Sequence, residues 1–252
     1  MLSTVVPIRA DARQILHLLS HDGEIGLGRQ WGDQLEKETG LDTDPEDVGL
    51  VRSVGARIGA LVGLLTDYPY EYRVLSGSDV NATALPGGRI YIGRFLLRAF
   101  ASNEDEVAWV LAHETAHVAL GHTTEELERQ LVAEPAKRKP PGGPAPSTVP
   151  PDLRKVGGLK ADWALFHYSR EQEHEADQCA SKYTHDAGFD PTAGVAVLCR
   201  LQELLSETAT KPSLLGTELM YDLHPGNDER LKAVQDFLRT KGWHGKYWQP
   251  PN

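Results

Sequence analysis

Between Val107 and Leu120 apolar residues fall on every side of a would-be helix. Val, Ala, Trp, Val, Leu and Ala lead into His113-Glu114-Thr115-Ala116-His117, and Val, Ala and Leu follow. A helix apolar all round is a buried one. Ser102 or Asn103 caps it, and Gly121 ends it. Around it the pattern predicts further helices from Asp22 to Thr39, stopped by Gly40, and from Pro45 to Leu65, with Asp44 as N-cap and proline at the first position. Alternation from Tyr70 to Leu75 predicts a strand, and Val80–Leu85 with Arg89–Ile92 predicts a hairpin closed by Pro86-Gly87-Gly88. Helical spacing returns at Thr123–Ala133, Lys160–Tyr183, Pro191–Ser206 and Asn227–Arg239.

The interruption is Glu134–Pro151, which holds seven of the chain's 16 prolines and so excludes a helix or central strand. It is expected to be an exposed, mobile loop, either a passive linker or a border of the cleft. The pattern as a whole predicts an α+β fold, mostly helical, with a small β-sheet or hairpin beside the buried helix. One domain is expected over 1–252: helices in 1–66, strands and the buried helix in 67–133, the proline-rich loop in 134–159, and helices again in 160–252.

Two histidines and a glutamate inside a buried helix are costly unless something pairs with them. His113 and His117 are four apart, so both imidazoles face the same way and can hold one metal ion, with Glu114 beside it as a base. The later run Glu173-His174-Glu175-Ala176-Asp177 has two readings. Taken alone it is a solvated acidic helix face. Following the first motif, it supplies Glu173 as third ligand and Asp177 as acceptor for a ligand imidazole. Three protein ligands and an open fourth position are the arrangement of catalytic zinc.

These two motifs resemble the zinc metallopeptidase family that groups the CAAX prenyl endopeptidases, the bacterial HtpX and BepA types and the mitochondrial OMA type. Other stretches resemble it too. They are Asn81-Ala82-Thr83-Ala84-Leu85-Pro86-Gly87-Gly88, Asn103-Glu104-Asp105-Glu106, His224-Pro225 with Glu229-Arg230-Leu231, and an entry segment at Arg13-Gln14-Ile15-Leu16 with Glu24-Ile25-Gly26-Leu27-Gly28. The similarity runs from Arg13 to about Leu238, weakest in the proline-rich loop. It implies a zincin-like, gluzincin fold and a zinc-dependent endopeptidase acting on unfolded or misassembled polypeptides in envelope quality control. The alternative is a latent or non-proteolytic, chaperone-like zinc protein, against which the intact Glu114 argues.

Zinc lowers the pKa of a water it binds from about 15.7 towards ~7. Glu114 is the base expected to take that water's proton and return it to the leaving amine. His224 and Tyr221 are candidates for stabilising the oxyanion, and His224 alternatively caps the zinc in a resting enzyme. The strand through Asn81, Ala82, Thr83 and Ala84 is a candidate edge for an extended peptide to pair with. His122, five residues after His117, has the wrong angle to join the metal and is expected at a helix end, where a cation suits the dipole. His174 is expected to pack or face solvent.

Charged residues make up 25% of the chain and the net charge is −10, which argues against nucleic-acid or anionic-membrane partners. No apolar run approaches the ~20 residues of a bilayer span, since Arg52 and Arg57 interrupt the nearest candidate, Val48–Leu65. Met1 to Val6 lacks the basic start and apolar stretch of a signal peptide, which taken literally means cytoplasmic. The resemblance slightly favours the periplasm or envelope with a signal removed. Cys179 and Cys199 flank a predicted turn at matching height, as a disulfide or as two small buried side chains. Nothing in the sequence fixes an oligomeric state.

Overall fold

The computed structural model describes residues 19–77, 81–100, 103–137, 168–210 and 227–248. The described chain is mostly helical, with one small sheet. Helix α1 (His21–Thr39) starts on Ser20, whose hydroxyl accepts from Gly23 N, and stops at Gly40, where φ is 82°. Helix α2 (Pro45–Thr66) starts on Asp44, whose carboxylate accepts from Glu46 N at 3.0 Å. It stops at Asp67, in the left-handed region at φ 59°. By length and composition α2 is apolar enough to cross a bilayer. In this fold its Val51, Val54, Ile58 and Val62 stripe is buried in the core, and Arg52 and Arg57 are exposed.

Three strands follow, β1 (Glu71–Leu75), β2 (Ala82–Leu85) and β3 (Arg89–Gly93), in the order β1-β3-β2. β2 and β3 form the expected antiparallel hairpin, with Ala84 opposite Ile90. β1 pairs with β3 in parallel, Tyr72 opposite Ile90, so β2 lies at one edge of the sheet. The hairpin turn meets α1 without side chains between them. A Cβ at Gly28 would lie 1.8 Å from Pro86 O, and one at Gly87, where φ is 76°, would lie 2.4 Å from Ile25 Cα. Glycine at both positions lets the two backbones touch.

Helix α3 (Arg94–Ala99) leads to α4 (Glu104–Ala119), the predicted buried helix, capped by the Asn103 side chain on Asp105 N. From Glu106 to Val118 every residue of α4 is buried. Helices α2, α6 and α7 and the sheet pack around it. Its core neighbours include Ile58, Ile90, Ile92, Ala176, Ala180 and Leu198. Gly121, at φ 77°, reverses the chain into α5 (His122–Lys137).

Helix α6 (Arg170–Asp186) corrects the expectation of one helix from Lys160 to Tyr183. Tyr168 and Ser169 are not helical. The Ser169 hydroxyl accepts from Gln172 N at 3.2 Å, and Gln172 Oε1 accepts from Ser169 N at 2.8 Å. This reciprocal capping box starts the helix one turn before Glu173. Helices α7 (Ala193–Thr210) and α8 (Asn227–Lys241) are the last elements among the described residues. Cys179 and Cys199 are free thiols, both half-buried; burial, the leading cause, raises the pKa of each.

Candidate metal centre

Two facing helices build the site. From α4, His113 and His117 turn their Nε2 atoms towards each other at 3.1 Å. From α6, the two oxygens of Glu173 approach those nitrogens at 3.5 Å each. The three groups are buried, and their donor atoms all lie within 4.8 Å of one another. Four ligands at 2.0–2.1 Å from a tetrahedral zinc stand about 3.3 Å apart, close to the observed spacings. The donor set of two imidazoles and one carboxylate also suits that ion.

The charges make the same case. Glu114, Glu173 and Asp177 are three buried carboxylates, and Arg230 of α8 is the buried guanidinium among them. It donates Nε to Asp177 Oδ2 at 2.8 Å and Nη2 to Asp177 Oδ1 at 2.7 Å, while Nη1 reaches Glu173 Oε2 at 2.7 Å. Arg230 and, in the metal-free fold, a protonated His113 offset part of this negative charge, and a dication would take the place of the His113 proton.

Each histidine has a different neighbour behind it. His113 Nδ1 lies 3.0 Å from Asp177 Oδ1, somewhat off the ideal hydrogen-bond axis. Burial works against a charge on this ring, but Asp177 and Glu173 outweigh it and push its pKa up to about 9. Asp177 is in turn held below the usual carboxylate range: burial opposes this, and Arg230 prevails. His117, by contrast, is driven well below its ordinary value, chiefly by burial. Its Nδ1 faces His122 Nδ1 at 3.1 Å, and the Tyr168 ring stacks on its face at 3.7 Å between centroids.

His122 departs from expectation. It is buried, is the first residue of α5 and lies against His117, and burial lowers its pKa to about 4. It is therefore neutral at pH 7, and a helix N-terminus disfavours a cation there in any case. His174 is half-buried.

Glu114 is buried on α4, within electrostatic reach of Tyr168 and Arg230. The next residue, Thr115, fixes the helix against the sheet: its Oγ1 donates to Leu111 O at 2.7 Å and lies 2.9 Å from the Tyr72 hydroxyl. Strand β2, bearing Ala82, Thr83 and Ala84, packs on α4. Asn81 extends the ladder by accepting from Gly93 N at 2.8 Å, and its side-chain Oδ1 is buried with no partner among the described residues. His224, Tyr221 and the proline-rich stretch beyond Lys137 lie outside the described residues.

Three participants carried no assigned role in the sequence reading: Arg230, Tyr168 and Glu175. Arg230 sits in the quoted Glu229-Arg230-Leu231 element, which was its signal. Tyr168 had none. Glu175 stood inside the acidic run, and its Oε2 lies 3.4 Å from His122 Nε2.

Comparison with known proteins agrees with this geometry. The sequence model described as Peptidase family M48 matches residues 47–137 and 154–238. The beta-barrel assembly-enhancing protease of Yersinia pestis is 27% identical over 223 residues, which is 86% of this chain and 44% of that protein. Metalloprotease YcaL of Escherichia coli K12 is 32% identical over 189 residues, 72% of this chain and 67% of YcaL. Metalloprotease LoiP of the same strain is 29% identical over 185 residues, 73% of this chain and 68% of LoiP. The chain thus spans less than half the length of the first of these relatives.

Proposed function

Because this chain belongs to peptidase family M48, a family of metalloproteases, we propose that it is a zinc-dependent endopeptidase that hydrolyses peptide bonds in unfolded or misassembled proteins. The observation that carries the reading is the trio His113, His117 and Glu173 at near-tetrahedral spacing, with Glu114 buried beside it. His113, His117 and Glu173 would hold the ion, in a zincin-like domain of the gluzincin kind spanning 1–252. When bound there, zinc supplies a Lewis acid and makes water a better nucleophile at neutral pH.

Glu114 takes the proton of the attacking water on a carboxylate oxygen and passes it to the departing amine nitrogen. Asp177, fixed by Arg230, orients His113. Asn81, Ala82, Thr83 and Ala84 offer the edge strand along which an extended polypeptide pairs by backbone hydrogen bonds, which favours unfolded segments. His224 and Tyr221 retain their proposed part at the oxyanion. An envelope location goes with relatives whose name refers to beta-barrel assembly.

Cleavage of reduced casein by the zinc-loaded protein, beside Glu114→Gln, tests this reading. The wild type is expected to cut and the variant to retain zinc but lose on the order of 10²–10⁴ in rate, the usual worth of a general base. Equal cleavage by both would remove Glu114 from the mechanism. Zinc bound without cleavage by either would favour a non-proteolytic binding protein.

A further inference from the structure

His117 presents Nε2 to His113 and Glu173, so its Nδ1 points away from the centre, 3.1 Å from His122 Nδ1. Two ring nitrogens share a hydrogen bond only when one donates and the other accepts. His122 Nε2 lies 3.4 Å from Glu175 Oε2, a carboxylate oxygen that accepts, so the geometry places the ring hydrogen of His122 on Nε2. That leaves a lone pair on His122 Nδ1. His117 must then carry its own hydrogen on Nδ1, and its Nε2 is left bare towards His113 and Glu173.

Resting on the metal reading above, we propose that His122 is the positioning residue of His117. It accepts the His117 Nδ1 hydrogen, is oriented by Glu175, and so keeps Nε2 free to bind the ion. The relay runs in one direction: His117 donates to His122, and His122 donates to Glu175. Its local cause is Gly121, whose left-handed backbone turns the chain sharply enough to bring His122 back over the preceding helix. The stacked Tyr168 ring holds the face of the imidazole while His122 holds its edge. Neither Tyr168 nor His122 is a carboxylate, so the outer edge and face of the ring are fixed without a carboxylate in direct contact there.

An acceptor is what the proposal requires of residue 122, which separates it from simple packing. The test compares His122→Leu, which fills space without accepting, with His122→Asn, whose amide oxygen can stand near the site of Nδ1. The measurements are zinc affinity, by competition with a chromophoric chelator, and the visible absorption of the cobalt-loaded protein. Loss of such an outer partner typically costs 10–100-fold in metal affinity. His122→Leu is expected to weaken zinc by that factor and to shift the cobalt bands, while His122→Asn stays within a few-fold of wild type. Wild-type affinity in His122→Leu, or equal weakening in both variants, would overturn the proposal. Circular dichroism of the metal-free proteins checks that each variant folds. A wild-type chain that binds no zinc would sink the metal reading itself, an outcome distinct from wild-type zinc binding with an indifferent residue 122.

Discussion

The two histidines of α4 occupy equivalent positions one turn apart, yet what stands behind them differs in kind. Behind His113 is a buried ionic pair, Asp177 gripped in two places by Arg230. Behind His117 is a neutral ring that leads to Glu175, whose side chain is 30% exposed. The first arrangement is strong but fragile, because removing one partner strands charge in the core. The second is weaker per contact and adds no charge to a centre that already holds three carboxylates. One ligand is set by electrostatics, the other by tautomer.

The sharpest way to break this contrast is Arg230→Met. It leaves Asp177 and Glu173 buried without their guanidinium, at a cost of about 3–5 kcal/mol. Denaturant unfolding of the metal-free protein is the measurement, and saturating zinc is expected to recover part of the loss. An unchanged midpoint would mean that the ionic arm contributes no stability.

A smaller effect separates the arms by pH. His113 in the metal-free fold has its pKa raised to about 9, so below that pH it holds a proton that zinc must expel. Affinity is therefore expected to fall as the pH drops below about 9, by up to ~tenfold per unit. Above that value this group no longer contributes. His117, with its pKa lowered, adds no such dependence near neutrality. Chelator competition at pH 6, 7 and 8 reads the slope, and a flat line would show that His113 binds no proton there.

The smallest change expected comes from Glu175→Gln. The amide keeps an acceptor oxygen, and the lost charge is partly screened by solvent, so the effect belongs in the range of an exposed pair, below about 1 kcal/mol. Zinc affinity within a few-fold of wild type is the expected readout. A loss as large as that of His122→Leu would place the anchor of the relay at Glu175.

How much of this was legible beforehand depended on how local each cause is. Asp44 with Pro45, Gly40, and the four-residue spacing of His113 and His117 act within one turn of helix, and sequence alone places them. The Ser169–Gln172 capping box is equally local, but a helical pattern running on from Lys160 hid it. The parallel pairing of β1 with β3 depends on how the whole sheet assembles, and no spacing in the strands encodes it. His122 stays outside the metal trio, as its spacing predicts. The chain reverses at Gly121, however, so His122 opens the next helix and lies against His117 instead of closing the preceding helix as a cation. Arg230 meets Asp177 across 53 residues, a distance that only tertiary packing closes.

Sequence drift is hemmed in where α1 meets the Pro86–Gly88 turn. A methyl group at Gly28 or Gly87 would overlap backbone, which has no rotamer by which to yield. Replacing either glycine alone is expected to prise the helix from the hairpin, so both are needed for the same contact. The edge strand β2 leads directly into that turn, and its alignment on α4 is tied to a helix some 50 residues upstream. Among descendants of this chain, a lineage that lost either glycine would have to re-site α1 before it could keep the same strand in the same place.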